Sequence, residues 1–147
     1  FGTRDGSSTC AFMSGLQKAQ GKLVSFDINI PSFMDEFKNM KDLPCSWEFR
    51  QRSTIDEDLN INETDLLFVD SLHTYEQVRD ELRLHATRVS KFIVFHDAYS
   101  HGEFSRDIKG QEGILRAINE FVDSSSEWEQ VYKVDFNHGL IVLEKTA

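Results

Sequence analysis

Two short apolar runs bracket the middle of the chain. Leu66-Leu67-Phe68-Val69 stops at Asp70, and Phe92-Ile93-Val94-Phe95 stops at His96-Asp97. Between them Val78, Leu82, Leu84 or His85, and Val89 recur at helical spacing, behind a Thr74/Gln77 pair that reads as a capping box. Continuous apolar runs of strand length joined by a helix describe a βαβ unit whose strands are buried on both faces. In open α/β sheets ligands sit beyond the carboxyl ends of the strands, so Asp70, His96 and Asp97 fall where chemistry is expected.

The same patterning predicts the elements on either side. Residues 22–27, KLVSFD, read as an apolar strand ending in an acid, and residues 47–51 as a less apolar strand suited to an edge. A helix is expected over residues 8–20, capped by Ser7 or Ser8, with Ala11, Phe12, Leu16 and Ala19 inward and Gly21 ending it. A second helix is expected over residues 32–40 with a break at Pro44, and a short acidic helical turn over residues 56–59. Residues 98–110 form a polar loop long enough to read as a lid or binding loop. Residues 113–122 predict an amphipathic helix, and strands over 129–134 and 140–144 close around Asn137-His138-Gly139 as an antiparallel hairpin.

At the N-terminus, Gly2 and Gly6 followed by Ser7, Ser8 and Thr9 look like a strand-to-helix turn whose amides favour an anionic group. Only Phe1 remains of the strand that should precede it, so an N-terminally truncated chain is expected. Asp27 stands 21 residues after Gly6. Nucleotide-binding α/β folds place a carboxylate for the ribose hydroxyls at close to this spacing.

Composition narrows the classes. A length of 147 residues suits one domain, and a net charge of −9 argues against nucleic acid as a partner. No apolar run approaches a membrane span and no signal-peptide pattern is present, so a cytoplasmic protein without membrane contact is expected. Cys10 and Cys45, 35 apart and without a CxxC, read as two buried free thiols. Asp70, His73, His96 and Asp97 gather four titratable groups at adjacent strand ends, whereas His85 and His138 read as structural or exposed.

The phrases GTRDGSST, VSFDINI, RSTIDEDL, FVDSLHTYEQVRDEL and IVFHDAY, in this order, resemble a class I S-adenosylmethionine (SAM)-dependent methyltransferase. Within that superfamily the chain is similar to small-molecule O-methyltransferases related to cephalosporin hydroxylase and macrolide sugar methyltransferases. The resemblance implies a three-layer Rossmann-like α/β sheet, mostly parallel with an antiparallel last strand, in the order 3-2-1-4-5-7-6. It places Gly2, Gly6 and Ser7 at the methionine part of the cofactor, Asp27 at the ribose, Ser53 and Thr54 near the adenine, and Asp70 between cofactor and acceptor. Many relatives carry an acid where Ser53 stands.

Some relatives bind a divalent cation through an acid at the position of Asp70 and two acids at the end of the next strand. Here those two positions are His96 and Asp97, a departure in which the imidazole tilts preference from Mg toward Mn. Methyl transfer needs the acceptor oxygen in line with the methyl group and deprotonated as it attacks. A cation at Asp70, His96 and Asp97 would assist a small-molecule or sugar hydroxyl, with His96 or His73 taking the proton. In the competing account Asp70 and Asp97 only hydrogen-bond backbone amides and His96 acts alone as base. The resemblance leaves a homo-oligomer open. Two rival readings are a methyltransferase-like domain that binds cofactor without catalysis and a nicotinamide-dependent oxidoreductase. The second is disfavoured because GTRDGS lacks G-x-G-x-x-G.

Overall fold

Residues 22–27 form the first strand, as their apolar pattern predicts. The computed structural model describes residues 1–39 and 45–146, which fall into two compact units, Phe1–Asp56 and Glu57–Ala147. The first unit contains helix α1 (Ser7–Leu16), strand β1 (Lys22–Asp27), helix α2 (Met34–Asn39) and strand β2 (Ser46–Gln51). β1 and β2 pair in parallel, with Asp27 the register partner of Gln51. Among the described residues β2 has no other strand beside it, which fits its half-buried pattern. Phe33, Phe37 and Trp47 pack against one another with ring centroids 4.8–6.1 Å apart, and the Trp47 indole N–H donates to Ser25 Oγ at 3.1 Å.

Several local expectations are corrected here. α1 stops at Leu16, and a turn over residues 17–20 follows in which Gln20, not Gly21, takes the left-handed position at φ 52°. Its buried face is Thr9 and Met13, one helical step apart, while Ala11 and Ala19 are exposed. Neither Ser7 nor Ser8 caps it. Gly6 is the N-cap at φ 87°, and Asp5 Oδ1 accepts the Ser7 N–H at 3.1 Å. Cys10 is exposed and Cys45 half-buried, because the inward stripe passes through residues 9 and 13 rather than 10. The helical turn expected over 56–59 is two separate turns, the first held by Ser53 Oγ accepting the Ile55 N–H at 3.4 Å. The expected helix end at Met40 and the break at Pro44 lie outside the described residues.

Gly15 sits in α1 with nothing within 4 Å of where a Cβ would stand. Gly15→Ala is therefore expected to stabilise the protein by about 0.5–1 kcal/mol, the difference in helix propensity. Urea denaturation checks it through the transition midpoint.

The second unit carries β3 (Thr64–Val69), α3 (Tyr75–His85), a 3-10 turn (Ala86–Arg88), β4 (Val89–His96), α4 (Ile114–Ser124), β5 (Trp128–Val134) and β6 (Leu140–Lys145). Its sheet runs β3-β4-β6-β5, with β3 parallel to β4 and β6 antiparallel to both its neighbours. This is the 4-5-7-6 end of the order the resemblance implies. Ile93, Phe95, Ile114, Ile118, Ile141 and Leu143 are almost wholly buried and form its core. Thr74 caps α3 through Oγ1, which accepts the Gln77 N–H at 3.3 Å. The helix turns Val78, Leu82 and His85 inward, so His85 rather than Leu84 holds the buried position, and Val89 opens β4. No helix among the described residues is long and apolar enough to cross a membrane.

Candidate active site

In the first unit the glycine turn and Asp27 are built together. Gly2 and Gly6 have φ of 80° and 87°, values an L side chain rarely adopts, and the Gly2 N–H donates to Phe26 O at 2.9 Å. The Asp27 carboxylate is held at the end of β1 by four donors. Thr3 N, Thr3 Oγ1 and Arg4 N reach Oδ2 at 2.8, 3.0 and 3.3 Å, and Asn29 N reaches Oδ1 at 2.9 Å. Burial pushes the Asp27 pKa up, but these hydrogen bonds outweigh it and hold the group below its ordinary value. Asp27 therefore shapes the turn as well as facing it. Ser53 and Thr54 follow β2 after Arg52, with Thr54 buried.

A carboxylate with a lowered folded-state pKa stabilises above its unfolded pKa, and that stability is lost as pH falls through the folded value. The turn at residues 2–6 is thus expected to keep slow amide exchange at neutral pH and to loosen only below about pH 4, the unperturbed Asp range. Hydrogen exchange of Thr3 and Arg4 against pH checks this.

In the second unit the ends of β3 and β4 lie side by side, since Val69 pairs with Phe95. Asp70 follows the first strand and His96 ends the second, so the four groups singled out in the sequence do converge. Asp97 has a left-handed φ of 60°, the kind of local strain that concentrates at functional sites. His96 Nδ1 lies 3.5 Å from Asp70 Oδ1 and 3.3 Å from Asp97 Oδ1. Although both carboxylates are this close, that buried nitrogen makes no hydrogen bond. Ligand atoms of all three residues fall within 4.8 Å of one another.

His73 lies in the turn before α3. Its Nε2 is 3.3 Å from both Asp70 Oδ1 and Asp97 Oδ2, and its Nδ1 is 2.8 Å from Asp107 Oδ2, which also accepts the His73 backbone N–H at 2.9 Å. Burial lowers the His73 pKa, but hydrogen bonds to Asp70 and Asp107 override it and raise the net value. Asp70 and Asp107 are both held below the ordinary carboxylate range, because their neighbouring histidines outweigh the effect of burial. An ionised Asp107 only accepts, so in neutral His73 the proton belongs on Nδ1, and the second proton of the charged ring sits on Nε2 beside Asp70.

The chain matches a family model described as a methyltransferase domain over residues 1–98, two thirds of its length. The chain belongs to the methyltransferase domain family. Among solved structures, an O-methyltransferase from Bacillus cereus in complex with SAH has a TM-score of 0.70 at 17% identity, covering 99% of this chain and 71% of that one. An SAH-bound methyltransferase from Podospora anserina gives 0.68 at 12%, covering 99% and 70%. The N-methyltransferase NodS from Bradyrhizobium japonicum gives 0.67 at 13%, covering 99% and 83%. No curated protein matches the chain. At these identities the likeness establishes the class I α/β methyltransferase fold. Because it extends equally to an O- and an N-methyltransferase, the fold leaves the acceptor atom open.

Three residues of this methyltransferase domain escaped the sequence reading: Thr3, His101 and Asp107. Thr3 is buried and anchors Asp27. His101 stands one helical step after Asp97, its N–H donating to Asp97 O at 2.9 Å, a spacing that could have been noticed. Asp107 lies 34 residues from its partner His73 and left no pattern to find. The loop that carries His101 and Asp107 is also stitched down at its base. Gly113 N donates to Glu103 O at 2.9 Å, and Ile114 N and Leu115 N to His101 O and Gly102 O at 3.0 Å. His85 is buried in α3 and His138 exposed in the hairpin turn, as expected.

Proposed function

We propose that this domain transfers a methyl group from SAM to a hydroxyl of a small molecule or sugar. The observation that carries the reading is the convergence of Asp70, His73, His96 and Asp97 at two adjacent strand ends in a chain of the methyltransferase domain family. The SAH held by the Bacillus cereus and Podospora anserina structures supports SAM as methyl donor. Gly2, Gly6 and Ser7 would lie along the methionine part of SAM, Asp27 would accept from the ribose hydroxyls, and Ser53 and Thr54 would flank the adenine.

In the second unit, His73 Nε2 is the nitrogen that would accept the hydroxyl proton. Asp107 keeps Nδ1 protonated and leaves Nε2 its lone pair, and Asp70 and Asp97 favour the imidazolium that forms. Asp70, His96 and Asp97 fit a divalent cation of the Mg or Mn class, two carboxylates and an imidazole whose buried Nδ1 lacks a hydrogen bond. Such an ion would lower the pKa of a bound hydroxyl and fix its orientation.

The test is SAH release from labelled SAM over a panel of hydroxylated small molecules, with EDTA and then with Mg²⁺ or Mn²⁺ restored. Turnover that stops in EDTA and returns with the metal supports the reading. Full turnover in EDTA would remove the cation and leave His96 or His73 as sole base, and SAM binding without turnover on any acceptor would favour the non-catalytic reading.

A further inference from the structure

We infer that His73, Asp97 and His101 form a second, nitrogen-rich cation site, suited to a borderline divalent transition ion such as Zn²⁺. It is distinct in donor set from the oxygen-rich group of Asp70, His96 and Asp97, and it stands whether or not the methyl-transfer reading does. Ligand atoms of the three residues lie within 4.8 Å of one another. His73 Nε2 is 3.3 Å and His101 Nδ1 3.7 Å from Asp97 Oδ2. Tetrahedral ligands at 2.0–2.1 Å from zinc are about 3.3–3.4 Å apart, so small side-chain adjustments close the set.

Two features go beyond proximity. The first is the division of labour within Asp97, whose Oδ1 faces His96 while Oδ2 faces His73 and His101. One carboxylate thus presents an oxygen to each group. The second is Asp107. Its Oδ2 meets His73 Nδ1 at 2.8 Å, and its Oδ1 lies 3.4 Å from His101 Nε2. A single carboxylate holds the outer edges of both imidazoles, and metal-binding histidines are commonly oriented in this way. The two rings stack with centroids 4.4 Å apart, and the nitrogens not turned toward Asp107 both lie near Asp97 Oδ2. His101 Nδ1 now meets the Ser100 hydroxyl at 2.9 Å, a hydrogen bond that a cation would replace.

Two imidazoles and one carboxylate select zinc, iron or nickel over magnesium. The two uses of His73 exclude one another, because an ion on Nε2 leaves no lone pair for a proton. A filled second site is therefore a resting state.

The test uses the tag-free full chain in excess Mg²⁺, titrated with Zn²⁺ by calorimetry, and X-ray absorption at the zinc edge on the one-to-one complex. The expected result is one zinc per chain with two imidazoles in its shell. Affinity should fall at least tenfold in His101→Gln and about tenfold in Asp107→Asn, the usual effect of losing an orienting partner. The exposed His138→Gln should leave it unchanged. No zinc binding, a shell holding sulfur or fewer than two imidazoles, or equal affinities in His101→Gln and His138→Gln would overturn the assignment. The absorption result on the unmutated chain decides the question even where a variant fails to fold.

Discussion

Replacing Asp97 by Asn is expected to reduce methyl transfer by about 10²–10⁴-fold, the range attached to losing a positioned proton-transfer constellation, while leaving the fold intact. Asp97 stands within ion-pair distance of three imidazoles, those of His73, His96 and His101. Its charge supports both the protonated form of His73 and any cation beside His96. Asn is nearly isosteric and tolerates the left-handed backbone found at this residue, so the change removes charge without straining the chain. Asp97→Ala should lose the same activity and also destabilise, by roughly 1 kcal/mol for the left-handed backbone. Rates of SAH release, read beside denaturation midpoints, separate the two contributions. An Asn variant with unaltered rate would take Asp97 out of the chemistry.

Gly139→Ala is expected to destabilise the protein on the order of 3–5 kcal/mol, well beyond the same change at Gly110. Gly139 has a φ of 94°, and a Cβ there would run into the backbone nitrogen of Tyr99. That atom cannot swing aside as a side chain can. The hairpin turn is bound to the segment after β4 by Ala98 N to Gly139 O at 3.3 Å and by Tyr99 N and Ser100 N to His138 O at 2.9 and 3.0 Å. Relieving the overlap means breaking those bonds just beside Asp97 and His101. Gly110 provides the control, having a φ of 87° with open space around it. Gly110→Ala should lose only the roughly 1–2 kcal/mol of the backbone conformation. Equal losses in the two variants, measured by chemical denaturation, would show that the overlap at Tyr99 is relieved elsewhere.

What the sequence could reveal follows from the range over which each feature is encoded. The runs before Asp70 and His96 are strand-length, continuous and apolar, so the parallel pair and the placement of both residues at its end were legible without coordinates. The closing hairpin was legible for the same reason, with Asn137, His138 and Gly139 all taking the positive φ that such a turn demands. Helix ends and faces were harder. The stretch after Leu16 offers no buried side chain to extend α1, and its inward stripe includes a threonine that a hydrophobic pattern passes over. The supporting groups were hardest of all. Asp107 reaches His73 through a loop with no period, and Thr3 was one small residue within a glycine turn. Such contacts depend on how the chain returns to itself, which no local window contains.

The claim that this is a SAM-using methyltransferase meets its most direct test in calorimetric titration of SAH into the full chain and its Asp27→Ala variant. The account predicts one saturable site per chain, weakened in the variant by about 1–3 kcal/mol as buried hydrogen-bonding groups lose their partner. No binding by the unmutated chain, or the same affinity in both proteins, would contradict it.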